Sequence, residues 1–129
     1  MDETNHATLV KAYGYFGQGN LEGFLSLCTP EFVMRVPGKN QLAGAWSGRA
    51  GVYGLVEKLL ELTGGDFIET VEHVYADGDV GAVLARHSVV RGGQTYEFGV
   101  VHRYRIEGGR LAEMWDYIHE IDVFDAAWA

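Results

Sequence analysis

Apolar positions recur with a helical period in the first half of the chain and alternate with polar positions in the second half. In the first half they lie three or four residues apart within three segments, which is typical of helices with one buried face. Each segment follows a residue whose side-chain oxygen can cap a helix by accepting a hydrogen bond from a free backbone amide. The first predicted helix is capped by Thr4 or Asn5 and runs to about Phe16. The second is capped by Asn20 and runs through Cys28, and the third is capped by Ser47 and runs to about Thr63.

Four long strands are predicted in the second half, where the period changes to two. Asp-Gly or Gly-Gly pairs separate them, and such pairs are hairpin signals. A shorter strand, 32–36, precedes the third helix and stops at a Pro-Gly pair. We therefore predict one α+β domain over residues 1–129, with three N-terminal helices packed on a strongly curved antiparallel sheet and an apolar pocket between them. The long strands are 67–76, 80–91, 94–106 and 110–123.

Composition narrows the possible functions. The chain has 18 acidic and 10 basic residues and a formal net charge of −8, which argues against a nucleic-acid partner. Its apolar runs are far shorter than the roughly 18 residues that span a membrane. The acidic start, Met1-Asp2-Glu3-Thr4, lacks the basic and apolar parts of a signal peptide, and the single Cys28 excludes an internal disulfide. We therefore expect a cytoplasmic protein that binds neither nucleic acid nor membrane.

His102 lies on the buried face of the predicted strand 94–106, and the next hairpin decides what it contacts. A two-residue Gly-Gly turn places His102 opposite Trp115. A three-residue Glu-Gly-Gly loop places it opposite Met114 and turns Asp116 inward, diagonal to His102. Both registers give an apolar inner face, so the pattern alone leaves the choice open.

The three-residue loop would create a candidate catalytic pair. In that register Asp116 lies among Val100, Met114 and Ile118, where loss of hydration disfavours its charged form. A neighbouring His102 can share the proton, and such a pair can remove a proton next to a carbonyl group and return it elsewhere. A structural hydrogen bond inside the core is the alternative, and an adjoining apolar cavity would favour the catalytic interpretation.

Several segments together carry a family pattern: Val33-Met34-Arg35-Val36-Pro37-Gly38, Leu42-Ala43-Gly44 with Gly48, Gly109-Arg110-Leu111-Ala112-Glu113-Met114-Trp115-Asp116 and Phe124-Asp125-Ala126-Ala127-Trp128. They resemble the SnoaL-like branch of the nuclear transport factor 2-like superfamily, and the order of predicted elements is similar over nearly the whole chain. The resemblance implies a cone-shaped sheet beneath three helices. This superfamily contains isomerases, cyclases, epoxide hydrolases, dehydratases and binding proteins, so the fold alone does not identify the reaction.

Family members that close polyketide rings use an Asp on the last strand as acid and base, paired with a His on the preceding strand. His102 and Asp116 have a similar spacing, so the resemblance implies that they are catalytic and favours the three-residue loop. It implies a cofactor-independent aldol cyclase or isomerase acting on a hydrophobic carbonyl substrate. Ketosteroid isomerase-like chemistry fits less well, because Val36 stands where those enzymes carry their base. The alternative is a non-catalytic dimeric protein that binds a hydrophobic ligand.

Other candidates for the pocket wall lie on the predicted inner faces. A Gly-Gly turn places His87 opposite Phe98 and toward the pocket, and Arg35 stands where relatives often have His and can bind an anionic oxygen. The chain has no His-x-His, Cys-x-x-Cys or His-Glu-x-x-His spacing, so we predict no metal. The predicted substrate-binding residues are Tyr13, Phe16, Met34, Arg35, Tyr53, His87, Phe98, Val100 and Met114.

The outer face of the predicted sheet is also apolar. In the three-residue register it carries Val101, Trp115, Tyr117 and Ile121, which is more apolar surface than a solvated sheet usually presents. Superfamily members commonly pair through this face. The resemblance therefore implies a homodimer.

Overall fold

The structure is a computed structural model and describes residues 3–129, which form four helices and a six-stranded sheet. The predicted α+β class and the three N-terminal helices are confirmed. Within these residues no helix is both long and apolar enough to cross a membrane. The signal-peptide prediction rests partly on Met1 and Asp2, which lie outside the described residues. The elements are α1 (Glu3–Gly17), α2 (Leu21–Ser26), β1 (Cys28–Val36), β2 (Gly44–Ser47), α3 (Gly48–Thr63), β3 (Phe67–Asp77), β4 (Val80–Arg91), β5 (Gln94–Glu107), β6 (Arg110–Ile118) and α4 (Ile121–Ala127).

The sheet is mixed, whereas the sequence predicted an antiparallel one. Its strand order is β2-β1-β6-β5-β4-β3, and β1 runs parallel to β6 while the other neighbours are antiparallel. The parallel pair arises because α3 carries the chain from the β2 edge to the opposite edge, and the four-strand meander then returns to β1. The sheet stays open, with β2 and β3 as its edges.

Two elements were not predicted. β2 has only four residues, too few to show an alternating pattern, and it pairs with the end of β1. Helix α4 replaces the last part of the predicted strand 110–123, because β6 ends at Ile118. Phe124 and Trp128 then enter the core, with 3% and 1% of their surfaces exposed. The local pattern of this segment also suits a strand, and burial of its apolar side chains decides that it forms a helix.

The chain enters the sheet earlier than expected. Cys28 is the first residue of β1 and does not belong to the second helix, and Pro30 lies inside the strand instead of ending the helix. The pairing of β1 with β6 is irregular between Cys28 and Val33. This irregularity accommodates Pro30, which has no amide hydrogen for a regular ladder.

The predicted helix caps are correct in one case and wrong in another. The side chain of Asn20 caps α2, accepting a backbone amide hydrogen bond at 2.8 Å. Thr4 and Asn5 lie inside α1, and Asn5 instead donates to the carbonyl of Gly78 at 2.9 Å, which ties the helix to the turn between β3 and β4. Ser47 precedes α3 as predicted, without a side-chain capping bond.

The hairpin between β5 and β6 differs from both predicted registers. Gly108 and Gly109 form a two-residue turn with φ angles of +57° and +79°, so the predicted three-residue loop is wrong. Ala112 is then an extra residue in β6, and this bulge shifts the pairing by one position. As a result, Asp116 faces inward as predicted, but directly opposite His102 instead of diagonal to it.

The hairpin between β4 and β5 matches the prediction. Its strands pair without interruption, and His87 lies opposite Phe98.

Buried side chains form two clusters beneath the helices. One cluster lies under α1 and α2, the other beside α4, and Trp46 and Leu55 pack against both. The space between the clusters contains the candidate site. The largest members of the first cluster include Leu9, Phe32 and Ile106, and those of the second include Phe98, Phe124 and Trp128.

Candidate functional site

A cavity of about 90 Å³, partly open to solvent, lies between the two clusters and the inner face of the sheet. A buried water needs roughly 10–15 Å³ of such space, so the cavity has room for several waters or a small organic group. Most of its lining is apolar, with a few polar side chains, as is usual for small-molecule sites. The hydrogen-bonding or ionisable side chains in the lining include Tyr13, Glu69, His87, His102, Tyr104 and Asp116.

His102 and Asp116 face each other across β5 and β6 on the cavity wall. Nε2 of His102 lies 3.3 Å from Oδ1 of Asp116, and 9% of each side chain is exposed. The pair lacks the alignment of a hydrogen bond, since Oδ1 of Asp116 has no hydrogen-bond partner among residues 3–129. Buried polar atoms are normally satisfied, so this oxygen marks a candidate functional group.

Tyr13, on α1, contacts the other ring nitrogen of His102. The Tyr13 hydroxyl lies 2.5 Å from Nδ1 of His102 and 2.8 Å from the Tyr104 hydroxyl. When His102 is protonated, both ring nitrogens are donors, so Nδ1 donates to the Tyr13 oxygen. Tyr13 therefore orients the ring and leaves Nε2 facing Asp116.

Burial and charge act in opposite directions on His102. Burial disfavours the imidazolium ion and would lower the pKa of His102. The negative charges of Asp116 and Glu69 outweigh burial, so the pKa of His102 is raised above its usual value. Burial is also the main cause of the raised pKa of Tyr13 and of Tyr104. His102 therefore keeps its proton to higher pH than an ordinary histidine, while both tyrosines stay neutral.

A second carboxylate–histidine pair, which was not predicted, lies beside the first. Glu69 and His87 face each other across β3 and β4, with 2.6 Å between Oε2 of Glu69 and Nε2 of His87. The side chains are 11% and 9% exposed, and both residues line the cavity. The rings of His87 and His102 are 5.8 Å apart, so the two pairs are neighbours.

Glu69 keeps its negative charge more readily than an ordinary glutamate. Burial would raise the pKa of Glu69, but the hydrogen bond from His87 and the charges of His102 and His87 outweigh burial and lower it. The site thus holds one group that favours a negative charge and one that favours a proton. Groups whose pKa values are pushed apart in one cavity are typical of acid/base partners.

A β-bulge explains why the sequence pattern missed Glu69. Glu72 is the extra residue in β3, and without it the register from the β3–β4 turn would place His87 opposite Thr70. The bulge shifts the pairing by one and brings Glu69 opposite His87. The sequence did show an acidic residue, Glu69, on the strand before that of His87. Whether Glu69 pairs with His87 depends on the unpaired residue Glu72.

The cavity brings together most of the predicted site residues. Phe98 and Val100 do not line it, because they are buried in the cluster beside α4. The functional roles of all the predicted site residues stay predictions. The predicted residues that line the cavity are Tyr13, Phe16, Met34, His87, His102, Met114 and Asp116.

Arg35 and Tyr53 lie away from the cavity. Alternation along β1 turns Arg35 to the face opposite Met34, and Nε of Arg35 lies 2.5 Å from Oε2 of Glu113. The Arg35 side chain is 49% exposed. Tyr53 is exposed on α3, and its hydroxyl donates to the carboxylate of Glu22.

Several cavity residues were absent from the predicted site. Tyr104 was recognisable as an inward residue of its strand, and the apolar face of α3 was also predicted, but without a role in the pocket. The misassigned end of the chain concealed the contribution of α4. The lining residues not predicted are Phe24, Val36, Leu42, Leu55, Val56, Leu59, Phe67, Glu69, Tyr104, Phe124 and Trp128.

Glu69, His87 and His102 form a donor set that suits a metal ion. Their side-chain nitrogen and oxygen atoms lie within 4.8 Å of one another. Two imidazoles and one carboxylate are a common set for zinc or iron. The donors come from three strands, so no short sequence spacing reveals them, and the absence of a metal stays a prediction.

A comparison with protein families supports the expected relationship. The sequence profile of the SnoaL-like domain matches residues 9–114. The comparison with curated proteins gives no match.

Solved structures share the fold over almost the whole chain. Bal32a, from a soil-derived mobile gene cassette, has 23% identity and a TM-score of 0.92, with 98% of each chain covered. An NTF2-like protein of unknown function from Burkholderia pseudomallei has 20% identity and a TM-score of 0.86, with 100% of each chain covered. A protein from Jannaschia sp. CCS1, whose name describes a SnoaL-like polyketide cyclase, has 20% identity and a TM-score of 0.80. The match covers 99% of this chain and 94% of the Jannaschia chain. At these identities the similarity establishes the fold.

Proposed function

This chain belongs to the SnoaL-like domain family, and we propose that it is a cofactor-independent enzyme that transfers protons on a hydrophobic carbonyl compound, as an aldol cyclase or isomerase does. The observation that carries the proposal is the His102–Asp116 pair. Both side chains are nine-tenths buried, and both lie on the wall of an apolar cavity. Ionisable groups perturbed by burial and a specific charge partner are candidates for catalysis.

The simplest reaction uses this pair alone. Asp116 takes a proton from the carbon next to the carbonyl group, the C–H electron pair forms a C=C bond, and negative charge moves to the oxygen. Protonated His102 stabilises that oxygen. An isomerase then returns the proton at another carbon. In a cyclase the enolate carbon forms a bond to a second carbonyl carbon, and the second oxygen takes the proton back.

The apolar wall supports this chemistry. Side chains such as Met34, Leu59 and Met114 exclude water from the space beside the pair. Exclusion of water strengthens the interaction of His102 with a developing enolate oxygen. The name of the Jannaschia protein points to the same class of reaction, and at 20% identity it supports the proposal through the shared fold only.

Hydrogen exchange on model ketones tests the proposal without knowledge of the natural substrate. β-Tetralone, 2-indanone and cyclohexanone are incubated with the protein in deuterium oxide, and deuterium uptake is followed by mass spectrometry. We expect Asp116→Asn to lose about 100-fold or more of the catalysed exchange, the usual contribution of a general base. Asp122→Asn, an exposed acidic residue on α4, is the matched control and should keep the rate.

Binding measurements complete the experiment. Trp128 lines the cavity, so its fluorescence reports ketone binding. Ketones that bind without exchange above the buffer rate would overturn the enzymatic proposal and favour a ligand-binding protein. Equal exchange by wild type and Asp116→Asn would overturn the assignment of the pair.

We also propose a homodimer through the outer face of the sheet. Tyr117 is 52% exposed there, and Arg103 lies over the ring of Trp115 at 5.2 Å. Ile121, predicted on this face, belongs instead to α4. Light scattering after gel filtration should give twice the chain mass, and Tyr117→Glu should reduce it to one chain. The cytoplasmic location stays a prediction.

A further inference from the structure

We infer that Glu69 is a second catalytic residue of this cavity: its carboxylate takes the proton from the substrate carbon while His102 protonates the substrate oxygen. His87 is a positioning residue that holds Glu69. The inference rests on the proposed function and revises one role in it: Glu69, and not Asp116, takes the proton, while Asp116 holds the charge that His102 needs to act as the acid.

The geometry of Glu69 suits a base. Glu69 lines the cavity, and its side chain is 11% exposed. Among residues 3–129, the only hydrogen bond of the Glu69 side chain joins Oε2 to Nε2 of His87, at 2.6 Å. A carboxylate has two oxygens, so Oε1 remains to accept a proton from a ligand. His87 fixes the direction of the carboxylate, as a general base requires.

Asp116 is placed differently. Its Oδ1 is buried and lies 3.3 Å from Nε2 of His102, so its nearest charged neighbour is the imidazole. A buried carboxylate beside an imidazole stabilises the imidazolium ion, as in catalytic triads. Tyr13 holds the opposite side of the ring at Nδ1. This arrangement makes His102 a charged acid with a fixed orientation.

The base and the acid are close enough to act on one carbonyl group. The donor atoms of Glu69, His87 and His102 lie within 4.8 Å of one another. An α-carbon hydrogen and the carbonyl oxygen of one ketone are adjoining groups, so Glu69 and His102 can reach both in one bound pose. Holding both groups in place replaces two encounters in water by one arranged step.

The step balances with protein groups alone. The Glu69 carboxylate forms an O–H bond to the α-hydrogen, and the C–H electrons become the C=C bond. The carbonyl π electrons form an O–H bond with the proton of His102, which becomes neutral. The product is an enol, with protonated Glu69 and neutral His102. The reverse transfers, at the same or a conjugated carbon, restore both groups.

Glu69→Gln tests the inference because glutamine keeps the shape and can still bond to His87. In the β-tetralone exchange assay we expect a loss of about 100-fold in kcat/KM, the contribution of a general base. Asp77→Asn, on the same strand and exposed, is the control and should keep the wild-type rate.

The pH profile separates a catalytic from a structural role. The titratable groups that interact with Glu69 are His87, His102, Tyr13 and Tyr104, so wild type should show an acid limb set by this cluster. Glu69→Gln should lose that limb. His87→Phe should move it to higher pH, because the hydrogen bond from His87 lowers the pKa of Glu69.

The outcomes distinguish this inference from the proposed function. If wild type catalyses no exchange, the proposed function fails. If wild type is active, Asp116→Asn is inactive, and Glu69→Gln keeps its rate and pH profile, the inference alone is wrong. A chelator arm completes the test: loss of exchange with EDTA and recovery with Zn²⁺ would also overturn the inference, because these residues would then bind a metal.

Discussion

The two carboxylate–histidine pairs are built alike but behave differently. Each joins residues directly opposite each other across antiparallel strands, and each depends on a single extra residue, Glu72 in β3 and Ala112 in β6. The hairpin between them, β4–β5, has no bulge. Two bulges around a regular hairpin thus bring both carboxylates to one wall of the cavity.

The pairs differ in how their charges are satisfied. Glu69 and His87 share a direct hydrogen bond of 2.6 Å. His102 and Asp116 are 3.3 Å apart, and His102 is also in contact with Tyr13. The pKa of Glu69 is lowered in the Glu69–His87 pair, while the pKa of His102 is raised in the His102–Asp116 pair. The same two residue types thus favour a negative charge on Glu69 in one pair and a proton on His102 in the other.

The largest expected effect comes from breaking the His102–Asp116 pair completely. Asp116→Ala leaves a buried imidazolium without its partner, which typically costs about 3–5 kcal/mol of unfolding free energy. Urea unfolding at about pH 6, below the usual histidine pKa, measures the loss. Asp122→Ala, on the exposed side of α4, should stay within about 0.5 kcal/mol of wild type. An equal loss in both variants would contradict the assignment of a buried ion pair.

Tyr13→Phe sharpens the comparison, because within residues 3–129 the tyrosine hydrogen bond belongs to the His102–Asp116 pair and not to the Glu69–His87 pair. The variant removes a hydroxyl bonded to His102 and Tyr104 and leaves two buried polar groups unsatisfied, which costs about 1–3 kcal/mol. Thermal unfolding measures the loss, with Tyr75→Phe, 49% exposed on β3, as control. The ring resonances of His87 should stay unchanged in NMR spectra. A shift of His87 as large as that of His102 would show that the pairs are not separate.

The two pairs should stabilise the fold in opposite pH ranges. The pKa of His102 is raised, so its contribution is complete below the unfolded value of about 6.5 and is lost as pH rises through the folded pKa. The pKa of Glu69 is lowered, so its contribution is complete above the unfolded value of about 4.3 and is lost as pH falls through the folded pKa.

Unfolding free energies measured from acid to alkaline pH check the direction of both pH dependences. Asp116→Asn should flatten the alkaline side of the curve, and Glu69→Gln should flatten the acid side. Flattening of the same side by both variants would show that one coupled cluster, and not two pairs, determines the titration.

The smallest effect is expected outside both pairs. Arg35→Ala removes a half-exposed ion pair with Glu113, and such pairs contribute about 0–1 kcal/mol. Ketone exchange should be unchanged, because Arg35 lies on the opposite face of β1. A loss of exchange beyond about threefold, roughly 0.7 kcal/mol, would show that Arg35 reaches the cavity.

Local pattern predicted much of the fold but only part of the site. The clean alternation around His102 placed it inside, and the Gly-Gly turn placed His87 opposite Phe98, as the structure confirms. Asp116 was predicted inward for a wrong reason, since a bulge and not a longer loop turns it. Glu69 was missed because its register depends on another bulge.

The sequence by itself determined the α+β class, the inward position of His102 and the turn residues, because periodicity and turn chemistry are local properties of the chain. The family came from the resemblance of several sequence segments to known members. Only the tertiary structure decided which carboxylates meet the two histidines, because a bulge shifts every later pair by one residue and leaves little trace in the pattern. It also decided that 121–127 is a helix, since burial of Phe124 and Trp128 against the sheet outweighs a local preference that suits either structure.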